Sequence, residues 1–539
     1  MRSHLIGLLT SSFLLPVIAD AQSNTVAGLE GRLTDVGEPT YFGRRGAAYP
    51  NGEIGMAISY YMCNSGTVPL PWLEAGNPPQ PMATNHPKFA FLVARATTDR
   101  IVQITDTRTY VKHAHGASNS NGACGTCQST GTSQSLGVHC QDAYSANTNQ
   151  NRLWLGPADE IDPWTGVWHP IGSYFDRGDP PVASPANSDG VRSLTSGTFS
   201  DPVKNRITLR EADLLLPGTF LYAEHMVIEG EAGDRHLDNL GWRQMTPAWN
   251  GSTWSFTNPT SGPTIGSVLD AWPGAVVNHA RNGNDDGNFF VAVKVTPAAT
   301  AGLYHYEYAV HDVDNGRGAA GLRIPVDSTA AVQNVGFRDL DTDPLDDWTW
   351  SRFGGELWFQ AGSNALQWNQ IFNFWFDCDV APASGTVAID EALPGPGALQ
   401  VVVASQVPAT AAAVTGLGPG CGTPSPTLGA VGRPVLPNPA FALALTSTPN
   451  AVMILLAALN PAAIVLAPGC TDQVDPATLV VGGVVQATTG SASVPLALPG
   501  TPVLAGLSLY LQAVQVVTGG PVFGQFSLSN ALSLRAGLF

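Results

Sequence analysis

Glycine and proline interrupt this chain too often for long helices: 58 Gly and 42 Pro stand among 539 residues, and only 12% of the residues carry charge. Exposed helix faces need abundant Glu, Lys and Arg, whereas short strands joined by frequent turns do not. The pattern predicts an all-β fold: a β-sandwich-like large region with long loops, followed by a small C-terminal β-sandwich. Strand periodicity points the same way. In Leu303 to His311, Tyr304, Tyr306, Tyr308 and Val310 fall on one face, and His305, Glu307, Ala309 and His311 on the other, because successive side chains of a strand point to opposite sides. Arg100 to Lys112 begins with the same alternation, Val102 and Ile104 against Gln103 and Thr105. Phe89 to Ala94, Phe220 to Glu229, Asn288 to Val295, Gly385 to Ile389 and Leu399 to Ala404 also read as strands. The aromatic-dense segment Trp368 to Cys378 reads as a crossing of the core.

Composition divides the chain. All 13 tryptophans lie between Trp72 and Trp375, and every histidine except His4 lies between His86 and His311. From Gly416 onward the only charged residues are Arg433, Asp472, Asp475 and Arg535. These shifts predict a signal peptide over 1–21, a Trp/His-rich β region over 22–405 with a subdomain boundary near 200, and a C-terminal β module over 406–539. Met1-Arg2-Ser3-His4, the apolar run Leu5 to Ile18 and Ala19-Asp20-Ala21 follow the order of a secretory leader cleaved before Gln22. The later apolar stretch Ala451 to Ala467 is broken by Asn460-Pro461, so no transmembrane segment is expected. The expected location is secreted or cell surface. A formal charge of −17 gives no general attraction to nucleic acid or to an anionic membrane.

Export makes disulfides the default state of the seven cysteines. Cys421 and Cys470 stand alone in the last part of the chain and are the best pair to propose. For Cys63, Cys124, Cys127 and Cys140, bonds among themselves, a Cys/His metal knot and free thiols all remain open. Cys124-Gly125-Thr126-Cys127 lacks the strand-to-helix setting of a thioredoxin-like motif.

Gly418-Pro419-Gly420-Cys421-Gly422-Thr423-Pro424, Pro499 to Val503 leading into Leu507 to Gln512, and Leu528-Ser529-Asn530-Ala531-Leu532 are the most distinctive phrases of the tail. The tail resembles a module found at the C-termini of secreted planctomycete-type bacterial proteins. Asn364 to Asn369 and Phe372 to Asp377 resemble a strand segment of the β-rich domain that often precedes it. The resemblance covers roughly a third of the chain. It implies lineage and export, and names no reaction.

The chemistry-bearing residues cluster around His113-Ala114-His115. An H-x-H pair on a strand points both rings to one side, and His139, His225, His305 and His311 could complete a metal centre. Imidazole suits copper, zinc and iron, and Met226 beside His225 favours copper because a thioether is a soft ligand. The leading expectation is therefore a secreted, copper-dependent oxidoreductase acting on an extracellular substrate. Core or surface histidines held by ordinary hydrogen bonds are the alternative for these same positions. In the following loop, Asp312 could orient His311, and Asp314 could pair with Arg317. The loops Asn282 to Asn288 and Asp339 to Asp347 offer oxygen ligands for calcium, although neither has EF-hand spacing. Two further classes compete: a non-enzymatic, disulfide-stabilised surface or extracellular module, and a secreted hydrolase acting on polysaccharide through paired carboxylates. An extracellular small molecule or polysaccharide is the expected partner, with cell-surface attachment through the C-terminal module.

Overall fold

The computed structural model describes residues 25–73, 81–105, 107–184, 187–196, 200–259, 262–283, 286–327, 330–353, 355–395, 397–408, 412–501 and 504–537. The leader expected over 1–21 lies outside them. The fold is all-β, with several distinct sheets built by antiparallel strand pairing. Helices among the described residues are single turns such as Tyr174–Arg177, and none is long and apolar enough to cross a membrane.

Four sheets stack face to face through three hydrophobic cores. The first is built on the long hairpin Gly31–Gly46 and Gly52–Asn64, joined on the second strand by Ile207–Arg210 and Gln141–Tyr144. The second centres on Thr219–Val227, flanked by Lys88–Ala96 and Leu240–Trp249. Leu33, Ile54, Met56 and Tyr60 of the first sheet meet Phe89, Phe91, Phe220 and Tyr222 of the second. Residues on both sides of position 200 thus share the first two sheets.

The third sheet runs Val276–Ala280, Phe289–Pro297, Tyr304–Asp312, Gln370–Cys378, Val332–Arg338. It is covered on both faces. Tyr306, Tyr308, Phe374 and Phe376 pack against Leu322, Leu357, Ile389 and Val403 of a fourth sheet. On the opposite face, Ala292, Ala309 and Ile371 meet Leu92, Ala94, Leu221 and Ala223 of the second sheet.

This double covering explains where alternation misleads. Gln103 and Thr105, on the polar face of their segment, are almost fully buried. Gln103 Nε2 donates to Thr105 Oγ1 at 2.7 Å, and its Oε1 accepts from the Ile371 backbone at 2.8 Å, tying the second sheet to the third. The expected strand Arg100 to Lys112 is two short strands, Ile101–Gln103 and Val111–His113.

The tail has a five-stranded sheet, in the order Ala413–Gly418, Gly524–Arg535, Ser508–Gly520, Ala451–Ala458, Val480–Ala487. Its inner side shares one core with a three-stranded sheet: Met453, Leu455, Leu511 and Leu534 meet Leu428, Leu443 and Leu445. The hairpin Pro461–Ala467 and Cys470–Val474 lies over the other side, where Leu466 and Ala467 pack with Val522 and Leu528. Disulfides join Cys421 to Cys470, Cys63 to Cys124 and Cys127 to Cys140, leaving Cys378 as a free, buried thiol.

Candidate functional site

The strand that carries His113 ends there, so the H-x-H pair does not lie on one continuous strand face. His113 is buried between Trp168 and Phe175, with ring centroids at 4.9 and 4.8 Å. Its Nδ1 lies 2.9 Å from Nε2 of the equally buried His86, one ring donating to the other. A Cβ on Gly156 would sit 3.0 Å from His113 Nε2, so the backbone of Gly156 closes over that nitrogen. Burial, reinforced by nearby Lys88, Arg192 and Lys112, holds both imidazoles well below their ordinary pKa. They are neutral core residues. His115 stacks instead on Tyr144 at 4.9 Å and lies 5.0 Å from Trp154, its pKa lowered by burial to about 4.

The remaining candidates have separate places. His139 occupies a left-handed turn, φ 60°, and its backbone N–H donates to Asn64 O at 3.0 Å. His305 sits between Asp377 at 2.7 Å and Glu307 at 3.3 Å, and Glu307 also takes two bonds from Arg100. The hydrogen bond to Glu307 is the largest influence raising the His305 pKa.

His225 and His311 come from the second and third sheets and face the space between them, together with His236 and Asp314. The His311 Nδ1 lies 2.8 Å from Ser267 Oγ, and its burial lowers its pKa to about 3. His225 packs edge-on to Trp368 with ring centroids 6.2 Å apart, its buried Nδ1 has no hydrogen-bond partner among the described residues, and burial lowers its pKa to about 4. Asp314 accepts from the Asn288 backbone at 2.5 Å and lies 3.0 Å from His236 Nδ1. Burial is the largest single influence on both groups and opposes charge, but their mutual hydrogen bond, the charges facing them and backbone hydrogen bonds together outweigh it: the His236 pKa is raised and the Asp314 pKa is lowered. Neither pairing expected within the loop forms, because His311 bonds to Ser267 while Arg317 pairs with Asp286 at 2.9 Å and Glu391 at 2.6 Å.

These placements overturn the copper oxidoreductase. Among the described residues, the one group of three or more His, Cys, Asp or Glu whose ligand atoms lie within 4.8 Å of one another is Asp339, Asp341 and Asp346. It contains no histidine. A first-row metal held by imidazoles needs nitrogens converging at about 2.0–2.2 Å from one point, and His113, His115, His139, His225, His305 and His311 are instead divided among aromatic contacts, a turn, an ion-pair cluster and a sheet interface.

The acidic cluster could chelate a cation in principle, but it is poor in ligands: three carboxylates where calcium takes six to eight oxygens. Asp339 Oδ1 already accepts from the Asp341 backbone at 3.1 Å and Oδ2 from Asn364 at 2.5 Å. Burial, followed by the charges of Asp341, Asp347 and Asp346, raises the Asp339 pKa to about 6. In the other loop, Asn284 and Asp285 lie outside the described residues. Asp286 there is bound to Asn282 at 2.6 Å as well as to Arg317.

Polysaccharide hydrolysis through paired carboxylates needs two such groups across one cleft. One cleft of about 230 Å³ is bordered by connecting segments that carry Arg108, Arg317, Asn315 and Trp368, with Asp159 as the one acid among its lining residues. Sequence reading also missed Glu224, which has both oxygens buried between the first two sheets with no hydrogen-bond partner among the described residues. Its burial raises its pKa well above the usual carboxylate range, which favours the neutral acid. Its position in a strand otherwise rich in apolar residues was the one available signal. No protein-family model and no curated protein matches this chain.

Proposed function

We propose that this chain is a non-enzymatic, disulfide-stabilised module of the cell surface or the extracellular space. The observation that carries the reading is the dispersal of its histidines. His86, His113, His115, His236, His305 and His311 are each held by hydrogen bonds or ring contacts, while six of the seven cysteines form crosslinks. Disulfides persist in oxidising compartments, in agreement with the leader-like start. Residues 406–539 are read as the attachment or sorting part and as a small β-sandwich, a reading supported by the core that its five- and three-stranded sheets share. The resemblance of this tail to the C-terminal module of secreted planctomycete-type proteins supports that role.

The test is metal analysis of purified exported protein, combined with oxygen-uptake and polysaccharide-hydrolysis assays. The expected result is substoichiometric copper, zinc and iron and no turnover. Stoichiometric copper that disappears in His113→Ala, or hydrolysis of any polysaccharide supplied, would overturn the proposal. N-terminal sequencing of the same material is expected to begin at Gln22.

A further inference from the structure

The tail contains a cleft of about 410 Å³ whose walls carry no charge. Gln515 and Ser527 border it from neighbouring strands, paired across the sheet. Thr448, Thr423, Thr518 and the turn Gly519-Gly520-Pro521 complete the polar rim, and the Cys421–Cys470 disulfide anchors one wall.

Several polar groups around this space are uncommitted. Gln515 is 2% exposed, its Nε2 donates to Thr448 Oγ1 at 3.1 Å, and its buried Oε1 has no hydrogen-bond partner among the described residues. A buried amide oxygen left unbonded is destabilising by about 1–3 kcal/mol unless water or a ligand satisfies it. The side-chain hydroxyls of Ser527, Thr518 and Thr423 likewise make no hydrogen bond among the described residues. At Gly422, φ 118°, a Cβ would fall 2.4 Å from Ser527 Oγ, so this wall depends on glycine.

We propose that this cleft binds a neutral, hydroxyl-rich ligand: a segment of uncharged polysaccharide. A charged ligand would lose hydration without gaining an opposite charge, because none of the lining residues is ionic. Hydroxyls and amides both donate and accept, matching sugar hydroxyls that do the same. An extended peptide needs a continuous ladder of backbone donors, and the wall residues Pro424, Pro468 and Pro521 have no N–H to contribute. Phe523, two residues beyond Pro521, is 77% exposed and offers an apolar ring beside the turn.

This inference rests on reading the tail as an attachment module. Metal or turnover found elsewhere would overturn that reading and leave sugar binding separately measurable. The experiment titrates the full chain with cellohexaose, mannohexaose and xylohexaose by calorimetry, with hexagalacturonate and an acetylated, amidated Gly/Ser/Val hexapeptide as comparisons. Saturable binding of at least one neutral sugar is expected, weakened about tenfold by Gln515→Leu through loss of one hydrogen bond. Because Gln515→Leu sits in a sheet, Thr518→Val at the exposed rim is the second variant; it is expected to weaken binding with an unchanged melting temperature. Absence of neutral-sugar binding at millimolar concentration, binding unaffected by both substitutions, or tighter binding of the hexagalacturonate or peptide would overturn the proposal.

Discussion

His236 Nδ1 lies 3.0 Å from Asp314 Oδ2, with both side chains buried and Asp314 also held by Asn288. The pair joins the turn following the Tyr304–Asp312 strand to the segment between the two main strands of the second sheet, so it ties two sheets together.

Replacing Asp314 with Asn should lower stability by about 3–5 kcal/mol, the usual effect of leaving one buried charge without its partner. The difference from wild type should depend on pH in a defined direction. The raised His236 pKa contributes stability that is fully present below the ordinary imidazole value, near 6.5, and lost as pH rises through the folded value. The lowered Asp314 pKa contributes stability that is present above the ordinary carboxylate value, near 4, and lost as pH falls through the folded value. Urea unfolding of both proteins across pH 3–9 should show the largest difference between about 4 and 6.5. A pH-independent difference would contradict the ion pair.

His113→Ala should destabilise by about 3 kcal/mol, because it opens a cavity against Trp168 and Phe175 and leaves His86 without its partner. His115→Ala removes only a partly exposed stack on Tyr144 and should cost about 1 kcal/mol. Thermal and urea unfolding check the unequal effects, and neither substitution should change metal content.

Cys470→Ser should destabilise the tail by about 4 kcal/mol on the chain-entropy estimate for a crosslink spanning 49 residues. The measurement is unfolding of the tail with and without the bond, followed by hydrogen exchange in Ala451–Ala458 and Ser508–Gly520. Exchange rates unchanged in the variant would refute a structural role for the crosslink.

Glu224→Met should stabilise the protein by about 1–3 kcal/mol at neutral pH, since it removes two buried oxygens with no hydrogen-bond partner among the described residues and keeps a long side chain. Glu224→Gln retains unpartnered polar atoms and should remain close to wild type. Comparing the two variants by denaturant unfolding separates the polar penalty from the packing.

The period of two in Leu303 to His311 was legible because a strand enforces it, and the structure places Tyr306 and Tyr308 together in one core. The opposite face carries polar residues, and alternation alone does not say what covers it. His311, Glu307 and Gln103 are polar, yet a second sheet covers that face, and hydrogen bonds to groups distant in sequence make their burial tolerable. Gly31–Gly46 and Gly52–Asn64 were missed for another reason. Register shifts after Leu33, Val36 and Tyr41 break the alternation of the first strand, and the second is buried along both faces.

Sequence alone determined the local terms: a turn-rich, all-β chain, a tail with four charged residues from Gly416 onward, and two isolated tail cysteines suited to each other. Those properties follow from backbone punctuation, side-chain chemistry and count. Only the tertiary structure decided that His113 meets His86, that Asp314 meets His236 and that none of the six candidate metal ligands joins a ligand cluster among the described residues. The reason is physical: strand periodicity fixes which side a residue faces, whereas the stacking of sheets fixes what lies there.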